Sequence, residues 1–203
     1  MKVICLTGGL ASGKSTAVKH LAAKGAVVID ADILGHQAYN SGTAAFDDVI
    51  AAFGDDVRGD DGEIDRKVLG GKVFGKPEEL RKLTDIVWPE IRRLAELELD
   101  TIAGSSPDAI VVLEAAVLFE AGWEDMGEEI WVLTVDRETA IERSMARDNA
   151  PRDAVERRLD SQLSNEVRTS RADIVVTNNS SVAAMLNQID SAFAKSTGAS
   201  SAG

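Results

Sequence analysis

The sequence predicts an α/β fold in which a parallel sheet is covered by helices on both faces. Short apolar segments rich in β-branched residues alternate with segments of helical spacing along most of the 203 residues. This alternation is typical of parallel sheets, because each strand needs a crossover before the next one begins. The hydrophobic fraction of 44% supports one folded domain and excludes a mainly disordered chain.

The first part of the chain predicts a strand, a glycine-rich turn, a helix and a second strand. Residues 3–7 are continuously apolar, residues 14–24 have helical spacing that ends at Gly25, and residues 26–30 form a second apolar run. Three further strands are predicted at residues 110–113, 130–135 and 174–177.

About 80 residues without strong strand signals separate the second and third predicted strands. Helical spacing occurs in residues 43–53, 66–74 and 78–103, and residues 60–63 have the composition of a turn. Pro89 is expected at a helix start or a kink. The sheet domain is therefore expected to carry a large helical insertion.

We expect a single domain built from four parts. These parts are a sheet core at about 1–32, 109–136 and 172–195, a helical acceptor-binding insertion at about 33–108, an arginine-rich helical lid at about 137–171, and a disordered tail at about 196–203.

Composition excludes several classes of function. The net charge of −12 disfavours binding to nucleic acid or to an anionic membrane, and no apolar run is long enough to span a bilayer. Cys5 is the single cysteine, so neither a disulfide framework nor a cysteine-built metal site is expected. Met1 and Lys2 lead directly into the first strand, so we expect no signal peptide and a cytoplasmic protein.

The strongest motif lies between the first strand and the first helix. Residues 8–15, Gly-Gly-Leu-Ala-Ser-Gly-Lys-Ser, fit the pattern G-x-x-x-x-G-K-[ST]. Such a loop aims backbone N–H groups at a phosphate, and the helix that follows adds its partial positive charge. A chance match in a glycine-containing turn is the alternative, but the flanking strand and helix supply the context that a nucleotide site needs.

We expect this loop to bind ATP. Lys14 is expected to reach the β- and γ-phosphates as a catalytic residue, and the Ser15 hydroxyl to bind Mg²⁺. The loop residues expected to contact the nucleotide are Gly8, Gly9, Ala11, Ser12, Gly13, Lys14, Ser15 and Thr16.

The remaining motifs favour a small-molecule kinase. The Asn-Lys-x-Asp element of GTPases and the Leu-Ser-Gly-Gly-Gln signature of transporter ATPases are both absent from the sequence. Asp30 and Asp32 end the second predicted strand, at the sheet edge where ligands bind. If that strand lies beside the first, Asp32 is the candidate base that orients the acceptor hydroxyl. Asp30 is either a helix cap or a ligand of a magnesium-bound water.

Arginine is concentrated in the predicted lid. Residues 137–171 contain eight arginines, whereas no lysine occurs between Lys82 and Lys195. Arg143 and Arg147 are four residues apart, so they share a helix face on which they are expected to hold the transferring phosphoryl group. The alternative is a solvated pair of helices linked by salt bridges.

With these residues considered, the sequence resembles dephospho-coenzyme A kinases over about residues 2–190. Seven segments carry the resemblance: Leu-Thr-Gly-Gly-Leu-Ala-Ser-Gly-Lys-Ser-Thr (6–16), Val-Ile-Asp-Ala-Asp (28–32), Phe-Gly-Asp-Asp-Val (53–57), Ile-Asp-Arg (64–66), Val-Leu-Phe-Glu-Ala-Gly (117–122), Arg-Ser-Met-Ala-Arg-Asp (143–148) and Arg-Leu-Asp-Ser-Gln (158–162). The loop alone is shared with many nucleotide-binding families, but the full set in this order is specific.

The resemblance implies phosphorylation of the ribose 3′-hydroxyl of dephospho-coenzyme A by ATP with Mg²⁺. It assigns the base to Asp32 and the catalytic lid arginine to Arg143, with Arg147 on the nucleotide. It also places Asn178 near the adenine. The residues it implies for the acceptor, besides Asp32, are Arg66, Trp88, Leu118 and Phe119.

Two segments depart from the usual bacterial pattern. Glu114-Ala-Ala-Val-Leu-Phe-Glu120 replaces Asp-x-Pro-Leu-Leu-Phe-Glu, and Trp88-Pro89 replaces His-Pro. Both variants look more like the kinase half of the animal bifunctional coenzyme A synthase. The rival functions are a kinase for another small hydroxylated acceptor, such as a nucleoside monophosphate or a sugar acid, and a non-catalytic ATP-binding regulator.

Overall fold

The computed structural model describes residues 1–198 and contains one five-stranded sheet. The strands are β1 Lys2–Gly8, β2 Val27–Asp30, β3 Ile110–Glu114, β4 Glu129–Thr134 and β5 Ile174–Thr177. Their order across the sheet is β2-β3-β1-β4-β5, and β1 pairs in parallel with both β3 and β4. The predicted class, a parallel sheet flanked by helices, is confirmed.

Helices occupy most of the remaining described chain. They are α1 Lys14–Ala23, α2 Ala31–Gln37, α3 Ala44–Phe53, α4 Arg66–Val73, α5 Pro77–Ser105, α6 Arg137–Asp148, α7 Arg152–Asp160, α8 Asn165–Thr169 and α9 Val182–Thr197. None of the helices in the described part combines the length and apolar character needed to cross a membrane.

The chain divides into two compact units. Unit 1 comprises residues 1–29 and the chain from Ile102 onward, and unit 2 comprises residues Asp30–Thr101. These boundaries differ by a few residues from the insertion expected at 33–108.

Unit 1 is built on the sheet, and its largest core cluster joins β1 and β4 to α1 and α9. Leu6, Leu21, Trp131, Met185 and Ile189 are all fully buried in this cluster. A smaller cluster of Leu10, Ile141 and Val155 packs the loop after β1 against α6 and α7. Leu10 thus anchors the loop that follows β1 against these two helices.

Unit 2 has a core of its own. Phe46, Val49 and Phe53 on α3 pack with Leu69 and Val73 on α4. The apolar spacing of both helices brings these side chains to one face. Unit 2 is thus a helical unit, as the absence of strand signals indicated.

Three local expectations are corrected. Pro89 lies inside α5, so of the two places expected for it, a helix start or a kink, the helix start is wrong. Since proline has no N–H, it interrupts the backbone ladder there. The chain from Ala31 to Gln37 is helical, whereas the first helix predicted with bounds after the second strand begins at residue 43. Helix α9 continues to Thr197, so Ser196 and Thr197 are helical, whereas residues 199–203 of the expected disordered tail lie outside the described residues.

The position of β2 removes one premise of the Asp32 assignment. In the sheet order, β3 lies between β2 and β1, so β2 does not neighbour the strand that leads into the phosphate loop. The assignment of Asp32 as base therefore rests on the resemblance and on its place after the carboxyl end of β2.

Candidate active site

The loop from Gly8 to Lys14 turns sharply from β1 into α1. Gly13 precedes the helix with φ 99°, and Ala11 has φ 55°, so two loop residues are left-handed. Glycine tolerates this conformation, whereas alanine is strained in it. A Cβ on Gly13 would lie 2.6 Å from Asn178 Nδ2. The glycine at position 13 is therefore required by both conformation and space.

Lys14 closes over this loop. Its Nζ donates a hydrogen bond of 2.9 Å to the carbonyl oxygen of Gly8, which joins the two ends of the turn. Ser15 and Thr16 follow in the first turn of α1, and both are exposed. The ammonium group and the helix N-terminus together place positive charge on the concave side of the loop.

Two distant side chains hold the backbone of the loop. Asn178, in the turn between β5 and α9, is buried and donates from Nδ2 to the Ser12 carbonyl at 3.0 Å. Gln162, after α7, accepts a hydrogen bond of 3.0 Å from the Leu10 N–H through Oε1. The resemblance placed Asn178 near the adenine; the contact that the structure shows is with the loop backbone.

The loop has the shape and polarity of a phosphate site. A Cβ on Gly8 would lie 2.4 Å from the Leu133 carbonyl oxygen and 2.6 Å from Ser12 Oγ, so only glycine fits this packed turn. Ser12 Oγ and Asn178 Oδ1 are buried without a hydrogen-bond partner among the described residues. These observations fit a triphosphate bound at the loop.

The same residues fit a magnesium nucleotide. Ser15 presents its hydroxyl at the first turn of α1, where the expected Mg²⁺ would bind. The described residues hold no group of three or more His, Cys, Asp or Glu side chains able to bind a metal. The Ser15 hydroxyl is the group that would hold the ion, which would neutralise part of the phosphate charge.

Most lid arginines are paired with neighbouring carboxylates. Arg147 forms two hydrogen bonds to the Asp148 carboxylate, at 2.7 and 2.8 Å, and Arg157 contacts Asp153 at 2.7 Å on the exposed surface of α7. This pattern is the one described by the alternative of a solvated, salt-bridged helix pair.

Arg143 differs from these arginines. It is half-buried on α6, and no carboxylate in the described chain forms an ion pair with it. The pKa of Asp136 lies below its usual value mainly because the Thr139 backbone N–H and hydroxyl donate to it, with a smaller contribution from the charge of Arg143. Of the two predicted phosphate-binding arginines, Arg143 is thus the one without a competing carboxylate.

A cavity of about 230 Å³ lies beside the phosphate loop, and sequence reasoning missed it. Its lining includes Gly9, Arg137, Gln162, Asn165 and Arg168. Arg168 is only 2% exposed. Gln162 ended a motif quoted for the resemblance and Arg168 was one of the eight lid arginines, but neither was singled out, because no local pattern marks a contact with the loop.

The predicted acceptor residues of unit 1 are buried. Leu118 is fully buried, and Phe119 is 5% exposed. The guanidinium of Arg171 covers the Phe119 ring at 4.5 Å from its centroid and also pairs with Glu124. Arg171 therefore covers one face of the buried Phe119 ring.

In unit 2, the two aspartates at the carboxyl end of β2 have separate positions. Asp30 caps α2: its Oδ1 accepts hydrogen bonds from the backbone N–H groups of Asp32, at 2.9 Å, and Ile33, at 3.2 Å. This contact supports the capping alternative for Asp30. Asp32 is exposed in the first turn of the same helix.

Arg66 and Trp88 lie on α4 and α5 of unit 2. Arg66 Nη2 donates to the His36 carbonyl at 3.0 Å, and its guanidinium lies 5.7 Å from the centre of the Tyr39 ring. Trp88 is half-buried. The structure thus joins Asn178 to the loop residues, while Asp32, Arg66 and Trp88 belong to the other compact unit.

Comparison with known proteins identifies relatives over nearly the whole chain. The family model described as Dephospho-CoA kinase matches residues 2–184. A dephospho-CoA kinase of Geobacter sulfurreducens is 43% identical over 195 residues, which cover 96% of this chain and 98% of that protein.

Solved structures agree with the sequence relatives. TT1252 from Thermus thermophilus superposes with a TM-score of 0.79 at 31% identity, covering 96% of this chain and 97% of the other. A dephospho-CoA kinase from Campylobacter jejuni superposes with a TM-score of 0.71 at 25% identity, with 97% of each chain covered. With its phosphate loop and this extent of similarity in both sequence and fold, the chain belongs to the dephospho-CoA kinase family.

Proposed function

We propose that this chain transfers the γ-phosphoryl group of ATP to the ribose 3′-hydroxyl of dephospho-coenzyme A, giving coenzyme A and ADP. The observation that carries the proposal is the phosphate loop, closed by Lys14 and held by Asn178, in a chain whose family is that of dephospho-CoA kinases. Kinase activity with ATP and Mg²⁺ follows from that membership.

The loop acts on the nucleotide through position and charge. Backbone N–H groups at the start of α1 and the Lys14 ammonium hold the β- and γ-phosphates, which carry most of the negative charge of ATP. Mg²⁺ at Ser15 neutralises part of that charge when bound. Because the loop is fixed by buried contacts, little reorganisation is needed when charge moves during transfer.

Asp32 orients the acceptor. Its carboxylate takes the proton of the 3′-hydroxyl as the oxygen attacks the γ-phosphorus; the bond to the oxygen bridging the β- and γ-phosphates breaks, and ADP leaves. A strongly basic group is not needed, since the attacking oxygen forms its bond in a loose transition state. The exposed position of Asp32 leaves it accessible to an acceptor.

The arginines of α6 complete the proposed site. Arg143 holds the transferring group, since no ion pair has to be broken first. Arg147 contacts the nucleotide only after releasing Asp148. Movement of α6 and α7 over the nucleotide would exclude water, which otherwise consumes ATP without transfer.

The acceptor is expected to contact the residues that the family resemblance implies for it. Arg66 offers a guanidinium for the diphosphate of dephospho-coenzyme A, and Trp88 an aromatic surface. Leu118 and Phe119 are buried, so they would contact the acceptor only after neighbouring side chains move. Asn178 serves the nucleotide by fixing the loop that binds it. The acceptor itself is a small molecule.

We also propose a cytoplasmic location without nucleic-acid or membrane partners. The single cysteine, Cys5, supports it, because one thiol forms no disulfide within the chain. Burial, with smaller effects from nearby Asp125, Glu124 and Glu128, raises the pKa of this thiol to about 12, so it is unreactive. The net charge of −12 opposes binding to polyanions.

A variant series with an acceptor panel tests the function. ADP release is measured with dephospho-coenzyme A, adenosine monophosphate and gluconate as acceptors. We expect Lys14→Ala to lower kcat/KM about 10³-fold and Asp32→Asn to lower kcat about 10²- to 10⁴-fold. Lys19→Ala and Asp48→Asn, at exposed positions of α1 and α3, are the matched controls.

The outcomes separate the proposed function from its rivals. Faster ADP release with another acceptor would show that dephospho-coenzyme A is not the substrate. ATP binding without acceptor-dependent ADP release would indicate a non-catalytic regulator. If Asp32→Asn retained normal kcat and KM, Asp32 would not be the base.

A further inference from the structure

We propose that Arg168 is a positioning residue for the triphosphate of the nucleotide. Its guanidinium lies buried against the phosphate loop, where it adds positive charge from behind the loop and fixes the segment that holds Leu10. The inference rests on the proposed function only in taking ATP as the ligand of the loop.

The position of Arg168 on α8 brings its charge to the loop. The residue is 2% exposed, and its Nη1 lies 3.3 Å from the point that a Cβ on Gly9 would occupy. The guanidinium therefore lies beside the loop, on the wall of the 230 Å³ cavity that Gly9 also lines. An arginine this deeply buried is unusual, because removing a charge from water is costly.

The partners of Arg168 compensate its charge only in part. Nη1 donates to the Leu163 carbonyl, Nη2 lies 3.5 Å from the Glu120 carboxylate, whose side chain is 28% exposed, and Nε has no hydrogen-bond partner in the described chain. Burial lowers the pKa of Arg168, and Glu120 acts in the opposite direction. Since arginine stays protonated even in such surroundings, positive charge persists beside Gly9.

The partly compensated charge of Arg168 can attract the triphosphate of the nucleotide. A positive group in a poorly solvated region acts on a nearby anion with less screening than a surface group does. The triphosphate is the anion that the loop is built to receive. Arg168 lies beside the loop and does not contact the reacting atoms. It therefore acts by positioning the loop and through the electric field of its guanidinium at the triphosphate.

A second contact connects Arg168 to the loop mechanically. By holding the Leu163 carbonyl, it fixes the residue next to Gln162, and Gln162 accepts the hydrogen bond from Leu10 N–H. Loss of the side chain is therefore expected to loosen the loop as well as to remove charge. An experiment must separate these two effects.

Two substitutions at Arg168 separate them. Arg168→Lys retains the charge but loses the forked hydrogen bonds, and Arg168→Met loses both. We expect Arg168→Met to raise the Kd for MgATP about tenfold at both 0.05 and 0.5 M salt, because a buried charge is weakly screened. Arg168→Lys is expected to stay within about threefold of the wild type. The Kd for adenosine, which has no phosphate, is expected to change less than that for MgATP in both variants.

Calorimetry on the full chain measures these constants, and circular dichroism checks folding. Arg157→Met, at an exposed arginine of α7 paired with Asp153, is the matched control and should retain the wild-type Kd for MgATP. Equal losses in the lysine and methionine variants would show that Arg168 acts only by holding Leu163 and would overturn the role of its charge. Equal losses for MgATP and adenosine would overturn the proposal as a whole.

Glu120→Gln gives a test of opposite sign, which stands even if Arg168→Met fails to fold. Removing the partial countercharge should strengthen the field of Arg168, so the Kd for MgATP is expected to fall about twofold; an unchanged or higher Kd contradicts the proposal. The failure of this proposal is distinguishable from failure of the kinase function. If the wild-type protein releases ADP with dephospho-coenzyme A but these variants do not change the Kd as expected, the kinase function stands and only the role of Arg168 is removed.

Discussion

The phosphate loop and the helix pair α6–α7 both concentrate polar groups, but they use opposite kinds of contact. The loop is held by partners far away in sequence: Asn178 contacts Ser12 across 166 residues, and Gln162 contacts Leu10 across 152. The helix pair is covered by short-range surface ion pairs such as Arg157 with Asp153, four residues apart.

The difference corresponds to what each region is proposed to do. A buried hydrogen bond leaves an unsatisfied group when one partner is removed, at a cost of about 1–3 kcal/mol. An exposed ion pair exchanges readily with water and contributes little. The loop thus has contacts suited to a fixed geometry, and α6–α7 has contacts that break and re-form at little cost, as a moving lid requires.

The largest expected stability effect tests the fixed geometry of the loop. Gly13→Ala places a Cβ 2.6 Å from Asn178 Nδ2 and 3.0 Å from Met185 Sδ at a residue with φ 99°. Overpacking and left-handed strain together predict a loss of about 2–4 kcal/mol in the free energy of unfolding. Urea denaturation followed by circular dichroism measures it.

The matched control is Gly104→Ala. Gly104 lies within α5, where an added Cβ meets nothing within 4 Å, so the substitution should stabilise the protein by about 0.5–1 kcal/mol. Equal stability of Gly13→Ala and the wild type would show that the loop is not fixed as described.

Glu129 is the centre of a second polar cluster joined by long-range contacts, and its contribution to stability depends on pH. Glu129, at the start of β4, accepts hydrogen bonds from Lys2 Nζ at 2.6 Å, Trp131 Nε1 at 2.9 Å and the Ser196 hydroxyl. Burial by itself raises the pKa of Glu129, but these donors outweigh burial, and the pKa lies below the usual value of 4.5. Its contribution to stability is therefore present above pH 4.5 and is lost as the pH falls through the lowered pKa.

Glu129→Gln is expected to cost about 1 kcal/mol in the free energy of unfolding at pH 7 and less at pH 3. Urea denaturation at both pH values measures the difference, with Glu98→Gln, at an exposed position of α5, as control. An equal cost at pH 7 and pH 3 would mean that the charge of Glu129 contributes nothing.

The same contrast explains what the sequence predicted. β1, the phosphate loop and α1 follow one another directly in the sequence. The spacing of the loop glycines is set by local conformation, so the positions of all three were predictable from residues 3–24. Gln162 and Arg168 lie in the segment from α7 to α8, and their contacts with the loop depend on how the chain returns to it. No local periodicity encodes such a return.

The missed features of the fold have similar physical causes. Helix α2 has seven residues and includes Gly35, so its spacing is too short to recognise, although Asp30 supplied a capping signal. The pairing of β2 with β3 depends on which crossover packs beside which strand. Strand alternation predicts a parallel sheet but does not determine this order.

The smallest expected effect tests the helix pair. Arg157 and Asp153 are both exposed on α7, with side-chain exposures of 71% and 66%, so their attraction is screened by water and salt. We expect Arg157→Ala, Asp153→Ala and the double variant to keep the wild-type Tm within the error of a thermal scan. The double-mutant cycle should show no measurable coupling between Arg157 and Asp153, and the coupling should stay unmeasurable when the salt concentration is raised. A coupling as large as the effect of Glu129→Gln would show instead that surface pairs hold α7 rigidly, and a lid that opens by exchanging them would then be excluded.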